Sequence, residues 1–243
     1  EAFNLGRITA DKEKLTEGLI AKDYENEYND NDNFIDSRIF DLCEYQNQNY
    51  ANHYKNLVNK ARQVELSLNN NKTSLTEAVS KSLYKLMAYK DEYEVARLLT
   101  RKEFYKELNR KFSGNFKIKY HLAPPFLALN DKYSKLPKKI TLGSWFRFVL
   151  IIISKGKFLR GTLFDPFSWH PDRKEERDLI LNYENLLKDV LENINDNNFE
   201  IGVELLTIPQ KIRGYGYVKK KNIRLAYELQ KKLTYNFLKR GDA

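Results

Sequence analysis

PDRKEERDLILNYENLLKDVLENINDNN, residues 171–198, decides the fold class. Leu179, Ile180, Tyr183, Leu186, Leu187, Val190, Leu191 and Ile194 recur at helical spacing and form one buried stripe. Pro171 opens the segment, and Asn195-Asp196-Asn197-Asn198 closes it with turn-forming residues. Downstream, a short helix from Phe199 to Thr207 ends at Pro209. Gly214 and Gly216 flank a tyrosine in a turn, and a last helix runs from about Val218 to Lys239.

Upstream of residue 171 the pattern is mixed. Phe116 to Leu122 alternates apolar and polar residues, as a strand does, and Pro124-Pro125 stops it because neither can donate to a ladder. Lys138 to Leu142 is the candidate return strand. From Gly143 or Ser144 a helix follows through Ile153, and its apolar run Phe148 to Ile153 predicts burial. Six residues fall far short of the about 20 that a bilayer span needs.

Nearer the start, Ser74-Leu75-Thr76-Glu77 reads as a capping box, opening a helix through Leu83, Leu86 and Met87 to about Leu99. Lys90, Glu94 and Arg97 would share one face of it, as an ion-pair row. A shorter helix covers Arg101 to Lys111. Ile35, Ile39, Leu42, Cys43, Tyr50, Tyr54, Leu57, Ala61, Val64 and Leu68 give another helical stripe. It is interrupted at Gln46, predicting a kink over residues 46–49, and Asn69-Asn70-Asn71 ends it. Before it, Asp11 opens a helix to about Tyr28, followed by a polar break from Asn29 to Asn33. No internal repeat is present. The expected fold is mainly α, a helical domain of about seven to nine helices with one small β-hairpin near 116–142. An N-terminal helical part, 11–70, precedes a main part, 71–243, unless 11–243 is a single domain.

Composition narrows the function. The chain has 243 residues, 42% hydrophobic and 13% aromatic, with six Pro and ten Gly. That is enough apolar material for a core and excludes disorder and collagen-like architectures. One cysteine, Cys43, cannot form an internal disulfide, a four-cysteine zinc site or an iron–sulfur cluster, and predicts a reducing, cytoplasmic setting. Cys43 lies in an apolar helical pattern, as a small core residue does. His53, His121 and His170 have no metal-ligand spacing. The first residue is Glu1 and no charged-then-apolar leader follows, so the chain reads as an internal or C-terminal piece of a longer protein, or as one whose start has been trimmed.

The net charge of +9 is uneven. Residues 1–70 hold 8 Lys/Arg against 13 Asp/Glu, and residues 71–243 hold 34 against 20. Such asymmetry suits a polyanionic partner or an acidic neighbouring domain, and equally a solvated surface in a chain rich in Lys, Asn and Ile.

Several segments resemble a known family. They are Lys85 to Arg97 (KLMAYKDEYEVAR), Leu122-Ala123-Pro124-Pro125, Leu159-Arg160-Gly161-Thr162 with Asp165-Pro166-Phe167, and Ile212 to Lys219 (IRGYGYVK). Their order and spacing resemble the C-terminal domain, without an assigned chemical role, of fused indolepyruvate ferredoxin oxidoreductases. Ala2 to Arg7 and Tyr45-Gln46-Asn47 look like the junction with a preceding domain, which makes residues 1–10 the tail of a catalytic domain. The resemblance covers roughly residues 2–225. It implies a parent enzyme, likewise a homo-oligomer, that oxidatively decarboxylates an aryl pyruvate with thiamine diphosphate, coenzyme A and iron–sulfur clusters and reduces ferredoxin. This chain lacks the cysteine sets and the G-D-G motif those cofactors require, so none of them is expected within it and no catalytic residue is assigned. Tyr217 stands where relatives commonly carry His.

The candidate binding residues are Arg160, Arg213, Gly214, Gly216, Lys219 and His121. The glycines at 214 and 216, with Arg213 and Lys219-Lys220-Lys221, could cradle a phosphate or carboxylate at the start of the last helix, or form a tight turn with solvated lysines. Arg160 could clamp a carboxylate with two prongs or brace against Asp165. His121, at the end of a strand, could move protons or be a hydrogen-bonded core residue. Two functions from different classes follow. One is an accessory domain packing on the catalytic domains of the oxidoreductase. The other is a stand-alone polyanion- or nucleic-acid-binding module, with aromatics interleaved with Lys in Phe112–Tyr120 and Tyr215–Tyr227 as stacking platforms.

Overall fold

The computed structural model describes residues 31–68, 73–114, 116–122 and 140–241. Among them are nine α-helices and one two-stranded antiparallel sheet, a mainly α fold with one small hairpin. In chain order they are α1 (Asn31–Tyr45), α2 (Gln48–Ser67), α3 (Ser74–Met87), α4 (Glu92–Thr100), α5 (Lys102–Lys111), β1 (Tyr120–Leu122), β2 (Ile140–Leu142), α6 (Phe146–Lys155), α7 (Pro171–Asn193), α8 (Phe199–Thr207) and α9 (Gly216–Gly241). Two 3-10 turns, Gly156–Leu159 and Ile208–Lys211, follow α6 and α8. The expected helix at 11–28, the Pro124-Pro125 stop, and residues 138–139 of the return strand lie outside the described residues.

The chain divides into two compact units, residues 1–38 and 39–243. In the first, the described opening of α1 is held locally. Ser37 Oγ donates to the Phe34 carbonyl at 2.7 Å, and the Arg38 guanidinium lies 4.5 Å from the Phe34 ring centre. Asn31 to Asn33, expected in a break, already belong to this helix. The second unit takes in the rest of α1 and the elements after it.

α3 is the axis of the second unit. Leu75, Ala78, Val79, Leu83, Leu86 and Met87 are buried, as are Ser80 and Ser82, because α2, α7, α8 and the second 3-10 turn pack around it. Tyrosines from the neighbours close its polar groups. Tyr54 Oη donates to the Ser80 carbonyl at 3.1 Å, and Tyr50 Oη donates to the Met87 carbonyl at 3.0 Å. The Met87 carbonyl, at the helix end, has no acceptor role within α3 and needs such a partner. α7 presents Leu179, Tyr183, Leu186, Leu187 and Val190 to this core, the stripe read from its sequence. Where α7, α8 and α9 meet, Gly202 allows close packing. A Cβ there would stand 2.9 Å from Ile194 Cδ1 and 3.2 Å from Phe237 Cε2.

Three local expectations are corrected. The kink near Gln46 is a full break, with Asn47 Oδ1 accepting from the Tyr50 N–H at 2.9 Å to start α2. The capping box does not form. Thr73 is the N-cap without a side-chain bond, and buried Glu65, reaching from α2, accepts from the N–H groups of Leu75 and Thr76 and from Thr76 Oγ1. Glu77 pairs with Lys81 instead. The long helix to Leu99 is two helices, because the chain leaves α3 after Met87 and restarts at α4 with Asp91 as N-cap, its Oδ1 accepting from the Glu94 N–H at 2.8 Å. Lys90 thus stands ahead of α4, and Arg97 grips Glu94 through two 2.8 Å bonds.

A smaller core joins α4, α6 and the hairpin. Ala96, Tyr120 and Leu150 are buried there, with Leu99, Ile118, Leu142, Phe146 and Ile153 packed around them. Strand register pairs Tyr120 with Leu142, His121 with Thr141 and Leu122 with Ile140. Pairing starts at Tyr120, so the predicted strand is shorter than its alternating pattern. α6 departs most from expectation. Leu150 is its one buried residue, while Phe148 and Ile152 are each 72% exposed.

Candidate anion site at the glycine turn

The two arginines singled out in the sequence meet opposite fates. Arg160 lies between the 3-10 turn after α6 and α7, and its guanidinium is enclosed. Nε donates to Asp91 Oδ2 at 2.5 Å and Nη2 to Asp91 Oδ1 at 2.9 Å. Nη1 donates to the Tyr45 carbonyl and to Gln46 Oε1, each at 2.6 Å. The Tyr45 ring lies beneath it, 3.7 Å from Cζ. Burial works against its charge, yet the Asp91 bond and charge hold its pKa above the ordinary guanidinium value. Of the two roles read for Arg160, a carboxylate clamp or a brace on Asp165, the two-pronged grip is present and is made to Asp91 of the same chain.

Asp165 is not the bracing partner of Arg160. It is buried and organises its own loop, accepting from the Tyr93 hydroxyl at 3.0 Å, the Gly161 N–H at 2.9 Å and the Phe167 N–H at 3.0 Å. His121 sits exposed on β1, its Nδ1 3.0 Å from Oγ1 of its cross-strand partner Thr141. Neither Arg160 nor His121 is engaged with the glycine turn.

Arg213, Gly214, Gly216 and Lys219 form that turn. Gly214 has φ +91° and Gly216 φ +53°, in the left-handed region that glycine enters without strain. At Gly214 a Cβ would also meet Val218 Cγ1 at 2.8 Å. α9 therefore begins at Gly216, two residues earlier than its pattern predicts. The Asn222 amide donates to the Arg213 carbonyl at 2.7 Å, tying the turn to the first turns of α9. Arg213 itself is exposed, and its Nε donates to the Gln210 carbonyl at 3.4 Å.

A residue the sequence reading left in a motif, without a role, completes the cluster. Lys85, in the last turn of α3, is half-buried and sends Nζ to the same Gln210 carbonyl at 2.9 Å. Burial and then the charges of Arg213 and Lys219 lower its pKa to about 8. Lys219 is paired with Glu176 of α7, and Lys220 with Asp172 at 3.3 Å. Sequence distance hid this grouping, since Lys85 and Gln210 are 125 residues apart.

Among the described residues no group of three His, Cys, Asp or Glu is placed to hold a metal ion, and no helix is long and apolar enough to cross a membrane. With one cysteine in the whole chain, the residues do not fit an iron–sulfur cluster. No curated protein and no solved structure matches the chain. One sequence family does, over residues 31–232, most of the length described above. The chain belongs to that family, DUF6537, a family of unknown function.

Proposed function

We propose that this chain is the C-terminal accessory domain of an indolepyruvate (2-oxoacid):ferredoxin oxidoreductase and packs on the catalytic domains of that enzyme. The order and spacing of the four resembling segments support this reading. The observation that carries it is an apolar face left exposed among the described residues. Trp145, Phe148 and Ile152 lie along one side of α6 and are exposed, and Phe158, Leu163, Phe164 and Trp169 follow exposed in the next turn and loop. Exposed large apolar residues close together in the sequence suit a surface that another protein covers. The catalytic domains are the occupant this reading supplies. They bring the thiamine diphosphate, the clusters, the coenzyme A site and the route to ferredoxin, in a cytoplasmic homo-oligomer. The segment contributes packing and no catalytic group.

The test begins with the full reading frame, which should carry thiamine and cluster motifs upstream. In the full enzyme, Phe148→Asp with Ile152→Asp should loosen the docking of this segment, read as faster hydrogen exchange along α6. A frame without those motifs, or exchange along α6 unchanged between the full enzyme and the isolated chain, would defeat the reading.

A second reading, a polyanion-binding module, draws on α9. Lys220, Lys221, Arg224, Lys231 and Lys232 are exposed there beside Tyr217 and Tyr235. Nucleic-acid affinity falling steeply with salt would favour it.

A further inference from the structure

The cations around Gln210 pose a problem of charge. Lys85 and Arg213 both donate to one neutral carbonyl, at 2.9 Å and 3.4 Å, so they are held side by side. Among the described residues neither has a carboxylate partner, while their neighbours Lys219 and Lys220 do, in Glu176 and Asp172. A carbonyl dipole cannot neutralise two charges. A half-buried ammonium beside a guanidinium is repelled by it, and capping the Gln210 carbonyl at the end of the 3-10 turn needs only one of the two. Both side chains start from ordered backbone. Lys85 issues from the central helix α3, and the Arg213 backbone is tied by the Asn222 bond to its carbonyl beside the left-handed Gly214.

We infer that Lys85 and Arg213, with Lys219 at their edge, form a binding site for the dianion of a phosphate monoester. Two unneutralised cations match two negative charges, and the tetrahedral oxygens can accept from Lys85 Nζ and the Arg213 fork together. An extended polyanion suits the place less well. On the α7 side Glu176 and Asp172 border the cluster and would repel the phosphates that follow the first. The inference stands apart from the accessory-domain reading, since it needs neither the parent enzyme nor its cofactors.

The experiment is a titration of the full chain with inorganic phosphate at low ionic strength, followed by calorimetry and by NMR of the Lys85 ammonium. Saturable binding is expected, and bound phosphate should move the Lys85 titration midpoint upward from about 8. Arg213→Gln and Lys85→Gln should each weaken binding at least about tenfold, the loss of one charge-assisted hydrogen bond, with Arg213→Lys recovering part of it. Arg213 is exposed, so its variants keep the test decisive if Lys85→Gln disturbs the fold. Glycerol phosphate and a phosphoserine peptide then distinguish a soluble ligand from a modified side chain. Unsaturable phosphate binding, an unmoved Lys85 midpoint or unchanged affinity in Arg213→Gln would overturn the site. So would a thymidine oligonucleotide that binds more tightly than phosphate and is indifferent to both substitutions.

Discussion

Arg160 and Arg213 look alike in the sequence, each preceded by an aliphatic residue and followed by glycine, yet they answer to different physics. Around Arg160 every charge is met within the chain: Asp91 takes the fork, two carbonyl oxygens take Nη1, and Tyr45 covers the face. Around Arg213 the positive charge is left over, shared with Lys85 on a single carbonyl. The first cluster is a staple whose value is structural. The second carries a binding potential that the fold itself does not use. A charged residue is informative about function to the extent that its partners fail to account for it.

The contrast can be broken most forcefully at Asp91. Asp91→Ala would strand a buried guanidinium and remove the α4 cap, and should cost about 3–5 kcal/mol in urea unfolding. A loss below about 1 kcal/mol would mean that Arg160 is far better solvated than its surroundings imply. Glu65→Ala removes the carboxylate that caps α3 from α2 and should cost about 2 kcal/mol, with Glu65→Gln recovering part of it. Gly214→Ala forces a side chain into φ +91° against Val218 and should cost about 1–3 kcal/mol by thermal melting.

Lys85 sharpens the comparison through pH. Its pKa in the folded chain, about 8, lies below its ordinary 10.5, so between those values the unfolded chain binds more protons. Stability therefore rises with pH across that window as the repelled charge is lost, and Lys85→Met should flatten the rise. Urea midpoints collected through the window would show it. The smallest effect belongs to Arg213→Ala, which should leave stability within about 0.5 kcal/mol of the parent chain because the side chain is exposed and without a carboxylate. A large loss there would turn the glycine turn into a second staple.

What the sequence made legible were features with a local cause. The α7 stripe, the bounds of α8 and the interruption at Gln46 follow from apolar period and turn residues within a few positions. The break between α3 and α4 was not legible, because the apolar pattern runs through it and the reason for stopping is Asp91, whose partner Arg160 is 69 residues away. The cap from Glu65 is hidden for the same reason, because Ser74 to Glu77 carries a local capping-box pattern while the carboxylate that caps comes from α2. The exposure of Phe148 and Ile152 is not legible, because an apolar run reads as core whether or not this chain itself provides the cover. Of the candidate site, the glycine turn was readable from its spacing. Lys85 was not, since only the packing of α3 against the turn after α8 brings it to Gln210.

One oxygen ties two of these events together in time. Asp91 Oδ1 receives both the Glu94 N–H that starts α4 and the Arg160 Nη2 that secures the loop before α7. A helix start is ordinarily a local and fast affair, whereas bringing residue 160 to residue 91 requires closing a long stretch of chain. With the cap and the closure sharing an atom, α4 should gain its last protection against hydrogen exchange in the same kinetic phase as the 160–169 loop. The two would then open and close as one cooperative unit, although the loop has little regular structure of its own.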